Sequence, residues 1–246
     1  MRYDIESISV KNTRKFDKTN EDLVYFDDGF GTVLDGVTRD KENGIYPEPS
    51  PAYICSELFR DSLIEEKKKN GCDDLKKLCL LIEKGNRSVY DYNKKENLEF
   101  AAGTVGIVYS IVDNYILYGY VGDCYGMIIR DCKRRIFTEC QTDSVLAHKK
   151  ELTTKQIRYE ICNHIEHPFG YGVWDGNPGA MDFTKYGHIL LKENDVILLF
   201  TDGMYEECMQ VSDKDIAAKS LDTLFGCHEL ENADDRSLIR IRVLKE

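Results

Sequence analysis

Short runs of alternating apolar and polar residues dominate the chain and predict many β-strands. Residues 5–10, Ile-Glu-Ser-Ile-Ser-Val, are typical of a strand with one buried face. Turn residues separate neighbouring runs, as in Asp27-Asp28-Gly29 and Asp113-Asn114. The predicted strands are residues 5–10, 23–26, 31–34, 104–111, 115–121, 125–130, 135–138, 187–191, 196–201 and 237–243.

Apolar residues at helical spacing predict two long helices between the early and the later strands. Ser50 can cap the first helix, with Pro51 at its first position, and apolar spacing continues over 52–63. The second helix is predicted over 73–91, and the Lys67-Lys68-Lys69 run between them is expected to be a solvated turn. Shorter helices are predicted at 144–150, 153–163 and 212–225, and a loop or irregular strand at 168–179.

The order of these elements favours an α+β fold. Consecutive hairpins beside long helices argue against a parallel sheet built from β-α-β units. A central antiparallel β-sandwich flanked by helices on both sides, in α-β-β-α layers, would bury every amphipathic element.

Composition excludes some classes of partner. The 246 residues carry a net charge of −11, so nucleic acid and anionic membranes are not expected to bind. No run reaches the roughly 20 apolar residues of a membrane span, and the N-terminal residues do not resemble a signal peptide. The nine cysteines form no Cys-x-x-Cys pair, so we expect reduced cysteines in a cytoplasmic protein.

Four acidic segments recur where predicted strands end: Asn20-Glu21-Asp22, Asp35-Gly36, Thr201-Asp202-Gly203 and Asp234-Asp235. Carboxylates brought together at strand ends repel one another unless a cation lies between them. The pattern therefore predicts a site for two divalent metal ions, built from both ends of the chain.

These segments, in this order, resemble the metal-dependent protein phosphatases, the PPM or protein phosphatase 2C-like family. Asn20-Glu21-Asp22 resembles the family's N-E-D element, and Val33-Leu34-Asp35-Gly36 resembles its V-x-D-G element. The remaining matches are Ala102-Gly103-Thr104-Val105, Tyr120-Val121-Gly122-Asp123-Cys124, Leu199-Phe200-Thr201-Asp202-Gly203-Met204 and Ala233-Asp234-Asp235-Arg236-Ser237-Leu238. The resemblance spans nearly the whole chain and implies one phosphatase domain over residues 1–246.

The resemblance implies two Mn²⁺ or Mg²⁺ ions at one end of the sandwich. Asp35 would bridge both ions and Gly36 would offer its backbone carbonyl, while Asp202 and Asp234 would hold the second ion. Glu21 and Asp22 would bind metal or its waters. Asp123 and Glu206, with Asp202, fall where the family places a third, weaker ion, although Asp123 could instead cap a turn and Glu206 could be a solvated helix residue.

Oxygen ligands suit these hard cations, and two ions about 3.5–4 Å apart can bridge a water and turn it into a hydroxide nucleophile. That hydroxide would attack phosphorus in line, with Asp35, Asp202 and Asp234 as the catalytic ligands.

The sequence departs from the family pattern around the substrate phosphate. The family's phosphate-binding Arg falls at Asp17 in this chain. After Asp35-Gly36 the family's D-G-x-G-G-H element continues here as Val37-Thr38-Arg39, without the two glycines and the His. We therefore expect Arg14 or Arg39 to bind the phosphate. Asp234 is followed by Asp235, and either could be the metal ligand, although the register against Ser237 favours Asp234.

The function expected from this resemblance is dephosphorylation of phosphoserine or phosphothreonine in a protein substrate. Two alternatives remain open on the sequence: a pseudophosphatase that serves as a binding or regulatory module, and a metallohydrolase for a small phosphorylated molecule.

Overall fold

The structure is a computed structural model that describes residues 1–12, 19–37, 48–96, 100–226 and 234–245. Ten strands are assigned in the described residues. Their bounds are β1 Arg2–Val10, β2 Leu23–Asp27, β3 Phe30–Val37, β4 Gly103–Val112, β5 Tyr115–Val121, β6 Tyr125–Arg130, β7 Lys133–Ile136, β8 Lys185–Leu190, β9 Val196–Phe200 and β10 Arg236–Leu244.

Eight α-helices, a π-helical turn and a 3₁₀ turn accompany these strands in the described residues. The α-helices are α1 Pro51–Asn70, α2 Leu75–Glu96, α3 Asp143–His148, α4 Thr154–Gln156, α5 Ala180–Phe183, α6 Tyr205–Gln210, α7 Asp213–Ala218 and α8 Leu221–Phe225. The π-helical turn is Ile157–Ile161 and the 3₁₀ turn is Asp202–Met204.

Two antiparallel sheets of five strands form the centre of the molecule. The first sheet has the order β1-β10-β9-β6-β7, and the second has the order β2-β3-β4-β5-β8. Helices α1 and α2 pack on the second sheet, while α6, α7 and α8 pack on the first. The predicted α+β sandwich with helices on both sides is confirmed.

The central strands are buried on both faces because each sheet lies between its partner sheet and a layer of helices. All five residues of β9 are buried, and so are the first eight residues of β4. Such strands have continuous apolar runs instead of a strict alternation. Edge strand β1 has less covering: only Ile8 is buried, and its other residues are half-buried or exposed.

Two local predictions were wrong. The lysines at 67–69 are not a turn between helices but the last turn of α1, where positive side chains stabilise the negative end of the helix dipole. Asp35 and Gly36 do not follow a strand: they lie inside β3 and pair with Val105 and Thr104 of β4.

Two predicted helices are interrupted. The segment 153–163 begins as α4, then widens into the π-helical turn, in which Cys162 N donates to Ile157 O at 2.9 Å. The segment 212–225 divides into α7 and α8, because Ser212 and Ser220 each cap a separate helix start.

Among the described residues, no helix combines the length and apolarity required to cross a membrane.

Candidate active site

The register of the strands brings the predicted acidic residues to one end of the sandwich. In the second sheet Leu23 pairs with Leu34, so Asp22 and Asp35 lie at adjoining positions. In the first sheet Phe200 pairs with both Leu238 and Tyr125. The segments that carry Asp202, Asp234 and Asp123 therefore meet at the same edge. We call Asp22, Asp35, Asp123, Asp202 and Asp234 the aspartate cluster.

Electrostatics show that the members of this cluster are close enough to repel one another. The pKa of Asp35 is raised well above its ordinary value, first by burial and then by the charges of the other four aspartates. The pKa of Asp22 is also raised well above its ordinary value. Burial is the main cause and the charges of Asp235 and Asp202 add to it, while a hydrogen bond from Thr201 opposes the rise.

Asp202 has a carboxyl pKa raised from 3.8 to about 7. Burial is the largest cause, followed by the charges of Asp123 and Asp234. Although Asp202 keeps an exposed surface, protein surrounds its carboxyl on the other sides, so the ionised form loses part of its hydration. Near neutral pH Asp202 is therefore only partly ionised in the metal-free protein, and bound protons relieve part of the repulsion within the cluster.

No ion pair within the described part of the chain joins a Lys, Arg or His to Asp22, Asp35, Asp202 or Asp234. The nearby Arg236 is committed to Glu207, with 2.6 Å between Nη1 and Oε1. An external cation would relieve the repulsion, and a set of carboxylate oxygens suits Mg²⁺ or Mn²⁺.

The described side chains do not converge on one point: no group of three or more Asp, Glu, His or Cys side chains among them is placed to hold a single ion. Mg²⁺ usually keeps several waters and takes only one or two protein carboxylates. Hydrated divalent ions that take one or two of these carboxylates therefore fit the cluster, whereas one fully protein-ligated ion does not.

Gly36 allows the segment that contains Glu21 to lie close against β3. Its N–H donates to Glu21 O at 3.1 Å, and a Cβ at this position would lie 2.8 Å from Glu21 O and 2.9 Å from Glu21 Cβ. A side chain at 36 would therefore push the Glu21 segment away from β3. Glu21 itself is buried, and one of its carboxylate oxygens accepts a hydrogen bond from the hydroxyl of Ser50, the N-cap of α1.

Asp22 links the two sheets through Thr201. The Thr201 hydroxyl donates to Asp22 Oδ2 at 2.8 Å and accepts from Ser237 N at 3.0 Å. One oxygen of Asp22 is therefore engaged within the protein, and the side chain is held in one orientation. This role of Thr201 was missed by the sequence reasoning, since its partner lies 179 residues away.

Asp234 and Asp235 occupy different environments. Asp235 is buried and its carboxylate accepts hydrogen bonds from Asn12 N at 2.8 Å and Glu21 N at 2.9 Å. Asp234 is exposed and its charge acts on Asp35 and Asp202. This arrangement favours Asp234 as the metal ligand. Asp235 instead joins the N-terminal segment to β10 through its hydrogen bonds.

We expect Asp235→Ala to lower the free energy of unfolding by about 3 kcal/mol, because it removes two buried hydrogen bonds to a charged acceptor. Urea unfolding followed by circular dichroism measures this loss. The matched control is Asp91→Ala on the exposed face of α2, where Asp91 makes no hydrogen bond or ion pair with the described residues. A change at Asp235 as small as that at Asp91 would contradict the assignment.

The two candidate ligands of a third metal ion, Asp123 and Glu206, differ in their position relative to the rest of the aspartate cluster. Asp123 lies in the turn between β5 and β6, and its Oδ2 accepts a hydrogen bond from the Thr142 hydroxyl at 3.0 Å. Its charge raises the pKa of both Asp35 and Asp202. Glu206 is exposed in the first turn of α6, and the structure records no hydrogen bond between it and Asp123 or Asp202.

The two cations predicted to bind the phosphate, Arg14 and Arg39, lie outside the described residues.

Several solved structures similar to this chain over nearly its whole length are serine/threonine phosphatases. The catalytic domain of the serine/threonine protein phosphatase PstP, solved with two manganese ions, has a TM-score of 0.71 at 18% identity and covers 99% of both chains. The S. agalactiae serine/threonine phosphatase has a TM-score of 0.71 at 19% identity, over 98% of this chain and 100% of that one. The PPM Ser-Thr phosphatase MsPP from Mycobacterium smegmatis, solved with cacodylate, has a TM-score of 0.65 at 13% identity, over 99% and 98%.

No protein-family model and no curated protein matches the sequence. The chain has the fold of the PPM-type serine/threonine phosphatases, and the resemblance read from the sequence is confirmed at the level of the fold. Because function resides in sites and not in folds, the activity has to be argued from the aspartate cluster.

Proposed function

We propose that this protein is a metal-dependent phosphatase that hydrolyses phosphoserine or phosphothreonine in protein substrates. The observation that supports this most strongly is the placement of five aspartates from both sheets at one end of the sandwich. The carboxyl pKa values of Asp22, Asp35 and Asp202 are raised, and no ion pair within the described residues reaches Asp22, Asp35, Asp202 or Asp234. The fold and the two manganese ions in the PstP structure support the same proposal.

Asp35, Asp202 and Asp234, with the backbone carbonyl of Gly36, would hold two Mn²⁺ or Mg²⁺ ions. When bound, such ions lower the pKa of water toward neutrality and neutralise charge on phosphoryl oxygens. Asp22 would bind an ion directly or through water. Asp123 is the better-placed candidate for a third, weaker ion, and Glu206 would contribute to it only through water.

The remaining residues position these ligands. Thr201 and Ser237 hold Asp22, Asp235 holds the Glu21 backbone, and Gly36 permits the close approach of that backbone to β3. Preorganisation of this kind matters because phosphoryl transfer depends mainly on positioning and on electrostatic stabilisation.

The nearest thiol does not fit a covalent mechanism. Cys124 lies beside the cluster, but burial, and then the charges of Asp35 and Asp123, raise the pKa of its thiol well above the ordinary value. A thiol that stays protonated is a poor nucleophile. Attack by water, and not by Cys124, is therefore the chemistry that this site supports.

The substrate class and location are part of the proposal. A phosphorylated protein segment is the proposed partner, and neither nucleic acid nor membrane is expected, given the net charge of −11. Among the eight described cysteines no disulfide is found, which favours a reducing, cytoplasmic location. The intact aspartate cluster favours catalysis over the binding-module alternative.

Hydrolysis of an aryl phosphate and of a phosphothreonine peptide, each with Mn²⁺, with Mg²⁺ and with EDTA, tests the proposal. We expect turnover of both substrates that requires the metal and is removed by EDTA. Metal-dependent turnover of the aryl phosphate or of small phosphate esters alone would replace the protein substrate with a small molecule. No turnover with either metal would support the pseudophosphatase.

A further inference from the structure

A cavity of about 360 Å³ opens beside the aspartate cluster, between the end of the sandwich and the segment that follows β7. Asp123 and Thr142 form its wall toward the cluster, and they are joined by a hydrogen bond of 3.0 Å. Because Asp123 belongs to the aspartate cluster and lines the cavity, a group in this cavity lies next to the proposed metal site.

The interior of the cavity is apolar. Val105, Val145 and Val173 are buried in its walls, and Leu146 lies at its rim with 52% of its surface exposed. A volume near the lower end of the range for small-ligand sites suits one large side chain and not an extended surface. An exposed leucine at the mouth of an apolar cavity would gain free energy if a second apolar group covered it.

The outer wall is held rigidly by one side chain. Asn163 Oδ1 accepts from Val173 N at 2.9 Å, while its Nδ2 donates to Val173 O and to Asp175 Oδ1, both at 2.9 Å. Asn163 N also donates to Tyr171 O at 2.8 Å. The Tyr171–Val173 wall is thereby fixed to the end of the π-helical turn, so the cavity is formed before any ligand arrives.

The π-helical turn supplies the facing wall through Ile157 and Arg158. Such turns are rare, and they occur frequently at functional sites because the extra residue redirects neighbouring side chains. Lys149, exposed at the mouth of the cavity, adds a positive charge in a protein whose net charge is negative. A positive mouth beside an apolar interior complements a phosphorylated segment that carries a large apolar side chain.

We infer that this cavity is a specificity pocket for a large aliphatic or aromatic side chain, located within a few residues of the phosphorylated Ser or Thr of the substrate. The inference rests on the proposed phosphatase function. It goes further by requiring a sequence preference for an apolar neighbour of the phosphorylated residue.

The test uses phosphothreonine peptides in an alanine background, with one leucine placed at each position from three before to three after the phosphothreonine. We expect one leucine position to raise kcat/KM about 10-fold or more over the all-alanine parent, since a well-filled apolar pocket discriminates by at least that factor. Leu146→Asp should remove this preference. Leu80→Asp, an exposed leucine on α2 with no part in the cavity, should retain it.

Equal kcat/KM for all peptides with the wild-type protein would overturn the inference, and so would a leucine preference that survives in Leu146→Asp. Aryl phosphate hydrolysis by the wild-type protein tests the phosphatase proposal separately. If the wild-type protein hydrolyses none of these substrates, the pocket is tested by measuring the binding of labelled peptides by fluorescence anisotropy. Tighter binding of one leucine peptide that is lost in Leu146→Asp supports the pocket, and equal binding of all peptides overturns it.

Discussion

Asp202→Asn is expected to lower metal-dependent kcat/KM for a phosphothreonine peptide about 10³-fold. The substitution keeps the size of the side chain but removes the negative charge that would hold a metal ion. Losing the several kcal/mol by which such an ion stabilises the transition state corresponds to a factor of this size. Steady-state kinetics at saturating Mn²⁺ measures the loss.

The structure offers a way to separate this loss from unfolding. Asp202 lies among like charges that raise its pKa to about 7, so removing its charge relieves repulsion in the metal-free protein. We expect metal-free Asp202→Asn to be at least as stable as the wild-type protein at pH 8. A gain in stability with a loss of activity is typical of residues selected for function.

Asp91→Asn is the matched control for this substitution, because Asp91 is exposed on α2, away from the cluster. It should change neither activity nor stability. Asp202→Asn that keeps a tenth or more of wild-type kcat/KM would contradict the role assigned to Asp202.

Divalent metal is expected to stabilise the protein strongly at pH 8 and weakly at pH 5.5. The folded-state pKa of Asp202 is above its ordinary value, so the metal-free fold binds more protons than the unfolded chain between about pH 4 and pH 7. Stability of the metal-free protein therefore falls as pH rises through this range. Asp22 and Asp35, whose pKa values are also raised, act in the same direction.

A metal ion reverses this loss because it binds the ionised carboxylates and releases their protons. At a metal concentration about 100 times Kd, binding adds about 2.7 kcal/mol, which raises Tm by roughly 5–10 °C for a chain of this size. Thermal unfolding at pH 5.5 and 8, with EDTA and with Mn²⁺, measures both effects.

The variant Asp202→Asn serves as the control for pH, because other groups also titrate in this range. Its metal-free Tm should depend less on pH than that of the wild-type protein. Equal Tm shifts on adding Mn²⁺ at pH 5.5 and 8 would show that the aspartate cluster does not bind the metal.

Much of the fold follows from local pattern. Residues 5–10 alternate clearly enough to predict β1, and Ser50-Pro51 predicts the start of α1. The errors occur where distant contacts decide the local structure. β3 continues through Asp35 and Gly36 because β4 pairs with them, and no pattern within residues 31–37 shows that partner.

In the candidate site, too, some features could be predicted from the sequence and others could not. Acidic residues near predicted strand ends indicated Asp22, Asp35, Asp202 and Asp234, because their chemistry is visible in single residues, and the family resemblance added Asp123. The supporting contacts were not predicted: Thr201 to Asp22, Asp235 to Asn12 and Glu21, and Thr142 to Asp123. Each joins elements far apart in sequence, where the chemistry of one residue does not indicate its partner.

The sequence by itself determined the order of strands and helices, the donor chemistry of the site and the absence of the family's usual arginine at position 17, since each depends on residue type and spacing. Only the tertiary structure gave Asp234 and Asp235 their different surroundings, explained Gly36 by its contact with Glu21 and formed the cavity beside Asp123. These depend on the register of two sheets packed face to face, and register is set by contacts between residues that the chain keeps far apart.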